Sequence, residues 1–352
     1  MAEQDQDTPA AAPAQKMNKL GLSLLNYRGG KSTLCAGCGH DAISAAITQA
    51  YFELGMNPRQ VAKLSGIGCS SKTPAYFLGE AFGFNSVHGR MPSVATGANL
   101  ANRALNLIGV SGDGDTASIG LGQFCHLVRR NARMVYIVEN NGVYGLTKGQ
   151  FSATADRGSV QKKGERNTYE AIDVCALAIE LGCDFVARSF SGDRKQLIPM
   201  LQAAIMHSGT AVIDVISPCV TFNDHEGSTK SYDYTKAHDW ILHEIGFVPG
   251  ADNIEVEFDP GTTRDVKMHD GSHLTLKKLA TDYDPSVRLN ALSVLQQGKA
   301  DGKIVTGVLY VNPNSESFAD SLKMVDEPLA HLAEKDLRPA KSCLDQVMDE
   351  LR

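Results

Sequence analysis

The sequence has little tryptophan, no excess of basic residues and no long apolar run. One of its 352 residues is Trp, and 34 Lys and Arg stand against 40 Asp and Glu, for a formal net charge of −6. This mildly acidic balance argues against nucleic acid as the main partner. No stretch approaches the length of a membrane span, and the polar residues 1–15 do not resemble a secretory signal. With 43% apolar residues and 33 glycines, the composition predicts an α/β protein of the cytoplasm.

Apolar runs alternate with helical patterns through the first two thirds of the sequence. Strands are predicted at 61–65, 85–88, 107–111, 134–139, 184–188, 211–216 and 304–310, and helices at 40–54, 93–104, 118–130, 169–181, 193–207 and 284–297. Strands this apolar have no solvent-exposed face, which predicts a doubly wound, mostly parallel sheet with helices on both sides. We divide the chain into a flexible tail (1–20), an α/β domain (21–245) and a C-terminal extension (246–352), which is expected to be an appended segment.

A glycine-rich turn follows the third predicted strand. Gly112-x-Gly114-x-x-Ala117 has the spacing of a dinucleotide-binding turn. However, Asp113 and Asp115 would repel a bare diphosphate unless a metal ion lay between them. The turn therefore points to a diphosphate that is carried by Mg²⁺.

A second polar turn, Asn140-Asn141, follows the next predicted strand. Ligands of such sheets bind beyond the carboxyl ends of the strands, so the two turns should lie side by side. The Asp113 carboxylate, the Asn141 amide oxygen and the Val143 carbonyl would supply three hard oxygen ligands for Mg²⁺. The spacing resembles the thiamine diphosphate motif, in which GDG is followed some two dozen residues later by NN.

The eight cysteines fall into different contexts. Three lie in apolar patterns and are expected to pack as small buried side chains: Cys125, Cys175 and Cys183. Four lie among Gly, Ser and Pro in loops, where ligands are held: Cys35, Cys38, Cys69 and Cys219. Four thiolates suit either a structural Zn²⁺ or a [4Fe–4S] cluster, and the cysteines by themselves do not decide between them.

Five motifs in register resemble the β subunit of 2-oxoacid:ferredoxin oxidoreductases, and most of all those that act on 2-oxoglutarate. They cover about residues 25–245 and read LCAGCGHDAI, SGIGCSSKTP, VHGRMPSVATGANLA, GVSGDGDTASIGLG and VENNGVYGLTKGQ. The resemblance implies a thiamine diphosphate-binding fold. It also implies that the cofactors are thiamine diphosphate, Mg²⁺ and a [4Fe–4S] cluster.

The resemblance also implies site residues. The cluster ligands would be Cys35, Cys38, Cys69 and Cys219, and the Mg²⁺ ligands Asp113, Asn141 and Val143. The cofactor would have as further neighbours Gly68, Ser70, His88, Gly89, Gly112, Gly114 and Asp115. Ala36 stands where many members of the family have Pro, which leaves the cysteine spacing unchanged.

The implied reaction is the conversion of a 2-oxoacid and CoA to an acyl-CoA and CO2, with electrons leaving to ferredoxin. Thiamine enzymes need a carboxylate at the pyrimidine ring, and no second domain here would supply it. In the family it comes from an α subunit, which implies an αβ unit, doubled as (αβ)2. The alternatives are a pyruvate-specific β subunit, a non-oxidative thiamine enzyme with structural zinc, and a subunit that has lost catalysis.

Two lysines lie on the predicted ligand loops. Lys72 follows Cys69, and Lys148 lies in a loop with Leu146 and Thr147. A 2-oxoacid brings one carboxylate and a dicarboxylic one brings two, each of which needs a counter-charge on burial. We assign these four loop residues, the lysines with Leu146 and Thr147, to the catalytic set. Because relatives with Gly in place of Lys148 tend to resemble pyruvate enzymes, we expect 2-oxoglutarate as the substrate.

Overall fold

The computed structural model describes residues 16–247, 263–267, 273–277 and 283–352. The strands are β1 (Val61–Ser65), β2 (Phe82–Asn85), β3 (Asn106–Gly112), β4 (Met134–Asn140), β5 (Val143–Tyr144), β6 (Gln150–Phe151), β7 (Phe185–Phe190), β8 (Thr210–Ile216), β9 (Asp239–Ile241), β10 (Thr263–Lys267), β11 (His273–Lys277) and β12 (Ile304–Val311). The α-helices are α1 (Gly39–Leu54), α2 (Met91–Ala101), α3 (Leu121–Arg130), α4 (Val174–Glu180), α5 (Arg194–Met206), α6 (Tyr232–His238), α7 (Arg288–Ala300), α8 (Phe318–Ser321), α9 (Glu334–Leu337) and α10 (Lys341–Glu350).

Eight strands form one sheet in the order β2-β1-β3-β4-β8-β7-β12-β9. The first six strands in this order, which end with β7, are parallel to one another. Strand β12 pairs antiparallel with β7, and β9 pairs parallel with β12. Two-stranded pairs are formed by β5 with β6 and by β10 with β11. The prediction of a mostly parallel sheet is confirmed.

Helices cover both faces of this sheet. Alternate residues of a strand face opposite sides, so Ile108 packs with α1 and α5, while its neighbour Leu107 packs on the side of α2, α3 and α4. Both side chains are fully buried. This doubly wound arrangement explains why the strands read as continuous apolar runs.

Several predicted boundaries shift, and the helix predicted over 169–181 illustrates the cause. It begins at Val174 because Asp173 caps it, accepting hydrogen bonds from the backbone N–H groups of Cys175 and Ala176. The strand predicted at 85–88 lies instead at Phe82–Asn85. That edge strand is exposed along its length, so no buried pattern marked it.

The described part of the predicted extension is continuous with the main sheet. Strand β12 lies between β7 and β9, and α7 packs against α4 and β12. Residues 288–311 therefore pack as part of the main sheet, and the division of the chain at residue 245 stays a prediction. Residues 248–262, 268–272 and 278–282 of the extension lie outside the described residues.

The predicted tail is anchored at its end. Residues 1–15 lie outside the described residues. The side chain of Asn18 donates hydrogen bonds to the hydroxyl of Tyr27 at 2.8 Å and to the carbonyl of Phe52 at 3.1 Å. Residues near 18 therefore belong with the packed domain.

Candidate active site

Four parallel strands end next to one another and bring the predicted motifs together. Gly112 pairs with Glu139 across β3 and β4, and Asn140 pairs with Ile216 across β4 and β8. The turns after these strands begin at the following residues, Asp113, Asn141 and Ser217. The loop after β1, which carries Gly68, Cys69 and Ser70, joins them at the same edge, because β1 pairs in parallel with β3.

Asp113 lies at the centre of this edge and is 2% exposed. Its Oδ1 accepts a hydrogen bond from the backbone N–H of Asn141 at 3.3 Å, and its Oδ2 accepts one from that of Gly142 at 3.1 Å. The hydroxyl of Thr154 donates to Oδ2 at 2.7 Å, and that of Ser152 donates to the same oxygen. Burial raises the pKa of Asp113, whereas the donors, with Ser152 first, act in the opposite direction.

The donor set of this edge fits Mg²⁺. Asp113 contributes a carboxylate, and the Oδ1 of Asn141 accepts a hydrogen bond from the backbone N–H of Val143 at 3.1 Å. Mg²⁺ prefers such hard oxygen ligands and keeps open positions for phosphate oxygens. The assignment of Asp113, Asn141 and Val143 as Mg²⁺ ligands stays a prediction.

Glycines let the surrounding loops close on this carboxylate. A Cβ atom at Gly114 would lie 2.4 Å from the ring of Tyr144, and one at Gly112 would lie 3.0 Å from the hydroxyl of Ser70. A Cβ at Gly66, which sequence reasoning did not select, would lie 1.7 Å from the carboxylate of Asp115. Side chains at these positions would therefore crowd or collide with protein atoms, so the loops pack this closely only with glycine.

The carboxylate of Asp115 accepts hydrogen bonds from three neighbouring residues of the protein. Its Oδ1 accepts hydrogen bonds from the Nδ1 of His88 and from the backbone N–H of Gly89, the latter at 2.7 Å. Its Oδ2 accepts from the hydroxyl of Ser111 at 2.6 Å. Asp115 thus fastens the His88–Gly89 turn to the end of β3, and the proximity of all three residues to a cofactor stays a prediction.

The four loop cysteines lie at the same edge of the sheet. A Cβ atom at Gly145 would lie 3.6 Å from the sulfur atoms of both Cys69 and Cys219, so these sulfurs are separated by no more than twice that distance. The hydroxyl of Thr221 donates to the sulfur of Cys35 at 3.4 Å. Burial raises the pKa of the Cys38 thiol to about 12 and raises those of Cys69 and Cys219 as well. A bound cationic centre would offset this cost by stabilising the thiolates.

The four cysteine sulfurs are not gathered around one metal centre. Within the described residues, no three His, Cys, Asp or Glu side chains converge closely enough to hold a metal ion. A tetrahedral Zn²⁺ draws its sulfur ligands to about 2.3 Å from one centre. The positions of the cysteines therefore do not decide between Zn²⁺ and a [4Fe–4S] cluster.

The other cysteines behave mostly as expected. Cys175 and Cys183 are fully buried, whereas Cys125, also expected to be buried, is only partly so. Its position on the rim of α3 explains the difference, because that helix buries only Phe124, Leu127 and Val128.

The loop that carries the predicted catalytic residues is exposed. Leu146 is 53% exposed, and Thr147 donates to the side chain of Gln150 at 2.6 Å. Lys148 is exposed and has a φ of 81°, a conformation that favours glycine. Lys72 is exposed on the short helix that follows Cys69. Both lysines are therefore exposed on loops that carry proposed site residues, and their roles stay predictions.

Sequence reasoning missed a buried acid next to this edge. Glu139 is fully buried, and its Oε2 lies 3.5 Å from the Nδ1 of His40, which also lies 2.6 Å from the hydroxyl of Ser217. Burial raises the pKa of Glu139 well above its usual range and lowers that of His40 to about 4. Burial therefore disfavours the charged form of both groups. A single acid in the apolar run VYIVEN was the available signal.

Two families match parts of the sequence. Residues 60–215 match the thiamine pyrophosphate enzyme, C-terminal TPP binding domain. Residues 273–327 match a family described as the C terminal of the pyruvate ferredoxin oxidoreductase beta subunit.

Curated relatives match over longer stretches. The 2-oxoacid:ferredoxin oxidoreductase subunit beta of Sulfolobus sp is 47% identical over 191 residues, which are 54% of this chain and 63% of that protein. The 2-oxoacid:ferredoxin oxidoreductase 2, subunit beta, of Aeropyrum pernix is 32% identical over 292 residues, 83% of this chain and 84% of that one. The 2-oxoglutarate synthase subunit KorB of Methanocaldococcus jannaschii is 36% identical over 53% of this chain and 69% of its own length. The chain thus spans under two thirds of the Sulfolobus protein.

One solved structure matches over nearly the whole chain. It is a 2-oxoglutarate:ferredoxin oxidoreductase from Magnetococcus marinus with 2-oxoglutarate, coenzyme A and succinyl-CoA bound. The TM-score is 0.72 at 25% identity, and the match covers 97% of this chain and 100% of the other. Across the part of this chain that the structure describes, the helices are too short or too polar to span a bilayer.

Proposed function

Because this chain belongs to the β subunits of the 2-oxoacid:ferredoxin oxidoreductases, we propose that it is the thiamine diphosphate-binding subunit of an enzyme that oxidises 2-oxoglutarate. The reaction would convert 2-oxoglutarate, CoA and two oxidised ferredoxins to succinyl-CoA, CO2, one proton and two reduced ferredoxins. The observation that carries this proposal is the buried Asp113 carboxylate, held by backbone N–H groups of the Asn141 turn at the neighbouring strand end.

Each part of the edge has a role in this reaction. Asp113, Asn141 and the carbonyl of Val143 would hold Mg²⁺, and the glycine turn around Gly112 and Gly114 would admit the diphosphate. Thiamine diphosphate, when bound, supplies a nucleophilic carbon for the keto group and takes up the electrons released as CO2 leaves. The residues of this chain bind and orient that group and bring the cysteine loops close to it.

The cysteine loops would carry one [4Fe–4S] cluster. Cys35, Cys38, Cys69 and Cys219 lie at the edge that also holds Asp113, and the sulfurs of Cys69 and Cys219 both lie close to Gly145. Electrons would leave singly through such a cluster to ferredoxin. The ferredoxin-linked names of the relatives support an oxidative reaction over the zinc-containing alternative.

The choice of 2-oxoglutarate is supported by Lys148 and by the names of relatives. The solved neighbour is a 2-oxoglutarate enzyme, and the KorB relative is a subunit of 2-oxoglutarate synthase. Pyruvate is the second candidate, because residues 273–327 match a family described for pyruvate ferredoxin oxidoreductase. An α subunit would complete the site, in an (αβ)2 assembly that also binds CoA and ferredoxin.

One experiment tests this function. The chain is co-purified anaerobically with its α subunit, and thiamine diphosphate, iron, sulfide and 2-oxoglutarate-dependent reduction of ferredoxin are measured. Asp113→Ala should lose thiamine diphosphate and keep iron, since it removes the charged metal ligand. Cys69→Ser should lose the broad absorbance near 400 nm and the reduction of ferredoxin.

Three results would contradict the proposal. They are a colourless wild-type complex, stoichiometric thiamine diphosphate in Asp113→Ala after gel filtration, and an unchanged spectrum in Cys69→Ser. A colourless wild-type complex would favour the non-oxidative alternative. A complex that holds its cofactors but is inactive would indicate a subunit that has lost catalysis.

A further inference from the structure

The loop after β8 is joined to the turn after β4 by one buried side chain. Asn223 is 5% exposed, and its Nδ2 donates a hydrogen bond to the backbone carbonyl of Asn141 at 2.7 Å. The backbone N–H of Asn223 donates to the carbonyl of Cys219 at 2.8 Å. One residue therefore contacts a proposed metal-binding turn and a proposed cluster-binding turn.

The peptide group between Asn141 and Gly142 is held at both ends. Its carbonyl accepts from Asn223, and its N–H donates to the Oδ2 of Asp113 at 3.1 Å. If this peptide group rotated, its carbonyl oxygen would face the Asp113 carboxylate. Both groups are hydrogen-bond acceptors, so the hydrogen bond to Asp113 would be lost. The hydrogen bond from Asn223 therefore favours the orientation in which the N–H supports Asp113.

Packing around Asn223 leaves it little freedom. A Cβ atom at Gly142, where φ is +73°, would lie 3.2 Å from the Nδ2 of Asn223. The hydroxyl of Ser228 donates to the carbonyl of Asn223 at 2.9 Å and accepts from the backbone N–H of Lys230 at 3.1 Å. Ser228 thus holds the backbone of Asn223, and the side-chain amide lies directly against the turn.

We propose that Asn223 is a positioning residue that fixes the Asn141–Gly142 peptide for Mg²⁺ and diphosphate binding and joins that turn to the Cys219 loop. This inference rests on the proposed function, since it assigns the metal and the cluster to these turns. Asn223 touches neither group itself and acts through the backbone that holds their ligands. The cofactor and cluster sites then form one unit whose separation is set by the protein.

The test uses the co-purified holo complex and the variant Asn223→Asp, which keeps the shape and removes the donor. The dissociation constant of thiamine diphosphate with Mg²⁺ should rise about ten- to hundredfold, since a buried carbonyl loses its partner and faces a carboxylate. The electron paramagnetic resonance signal of the reduced cluster should change as well.

Asn106→Asp is the matched control. Asn106 is 6% exposed at the start of β3, and its Nδ2 donates to the carbonyl of Ile205 at 3.1 Å, so it makes the same kind of bond at the opposite edge of the sheet. This variant should lower the melting temperature while leaving cofactor affinity and the cluster signal unchanged.

The outcomes separate this inference from the proposed function. A wild-type complex that binds no thiamine diphosphate overturns the function and with it the inference. If the wild type and Asn223→Asp bind thiamine diphosphate equally well, the inference alone is overturned. The inference is also overturned if Asn106→Asp loses as much affinity for thiamine diphosphate as Asn223→Asp does. Weaker cofactor binding with an unchanged cluster signal overturns the link to the Cys219 loop.

Discussion

At the residue scale, the site depends on polar groups that are buried and partnered before any cofactor binds. The four donors on Asp113 stabilise a carboxylate whose pKa is raised by burial. Of the four donors, Ser152 and Thr154 come from the segment after β6. That segment contains no motif, so its part in the site was not predictable from the sequence.

Lys148 is the residue on which the substrate prediction depends. Lys148→Gly removes the charge and suits the backbone φ of 81°, so the variant should fold at least as well as the wild type. The value of kcat/KM should fall roughly ten- to hundredfold for 2-oxoglutarate, as expected for one charge-assisted contact, and far less for pyruvate. Steady-state kinetics with both substrates on the αβ complex measures this. Equal losses of kcat/KM on the two substrates would mean that Lys148 does not bind the distal carboxylate. The same kinetics with Lys72→Ala test whether Lys72 binds a substrate carboxylate.

His40 gives the chain a specific sensitivity to acid. Its pKa is about 4 in the folded chain because of burial, against about 6.5 when unfolded. The unfolded state therefore binds more protons between these values, so this group's contribution to stability falls as the pH drops from about 6.5 to about 4, by about 3 kcal/mol in total.

Urea unfolding of the wild type and of His40→Asn at pH 7 and pH 5 measures this contribution. The variant should lose less stability on acidification than the wild type. Glu139, whose pKa is raised, acts in the opposite direction, and because it contacts His40 the measured difference is the joint effect of the pair. His331→Gln, at an exposed ion pair, is the control and should match the wild type. Parallel losses in the wild type and in His40→Asn would contradict the assignment.

At the element scale, α4 is held to the sheet by an ion pair as well as by its core face. The Oδ1 of Asp173 caps the helix and also lies 2.5 Å from the Nη2 of Arg188, whose Nε lies 2.9 Å from Asp214. Asp173→Ala should lower the free energy of unfolding by about 2–4 kcal/mol, because it removes a cap and one partner of a buried guanidinium.

A second cap gives the comparison for this helix. Asp193 caps α5 by accepting from the backbone N–H of Gln196 at 3.1 Å, and it has no ion-pair partner among the described residues. Asp193→Ala should therefore cost only about 1 kcal/mol. Chemical denaturation of both variants measures the difference, and equal losses would show that the Arg188 pair contributes nothing.

At the scale of the whole molecule, apolar side chains are exposed around the mouth of the site. Val87 is 72% exposed, Ile119 is 47% exposed and Leu146 is 53% exposed, and each lies on a segment that carries proposed site residues. Under the proposed function, an α subunit would cover this edge and bring the pyrimidine-side carboxylate.

The isolated chain should accordingly show no 2-oxoglutarate-dependent reduction of a dye, and addition of the α subunit should restore it. The measurement is an anaerobic assay with methyl viologen on the chain alone, on the α subunit alone and on the mixture. Robust activity from the chain by itself would contradict the requirement for a partner.

The amino-acid sequence determined the parallel α/β class, most of the strand positions and the family, because buried strands are marked by local apolar runs and the motifs follow them directly. Only the tertiary structure decided that β12 joins the main sheet, that Ser152 and Thr154 support Asp113, and that Asn223 ties two loops together. These contacts join residues far apart in the chain through single hydrogen bonds or one edge pairing. Such contacts have no local periodicity, and their partners become neighbours only when the sheet has formed.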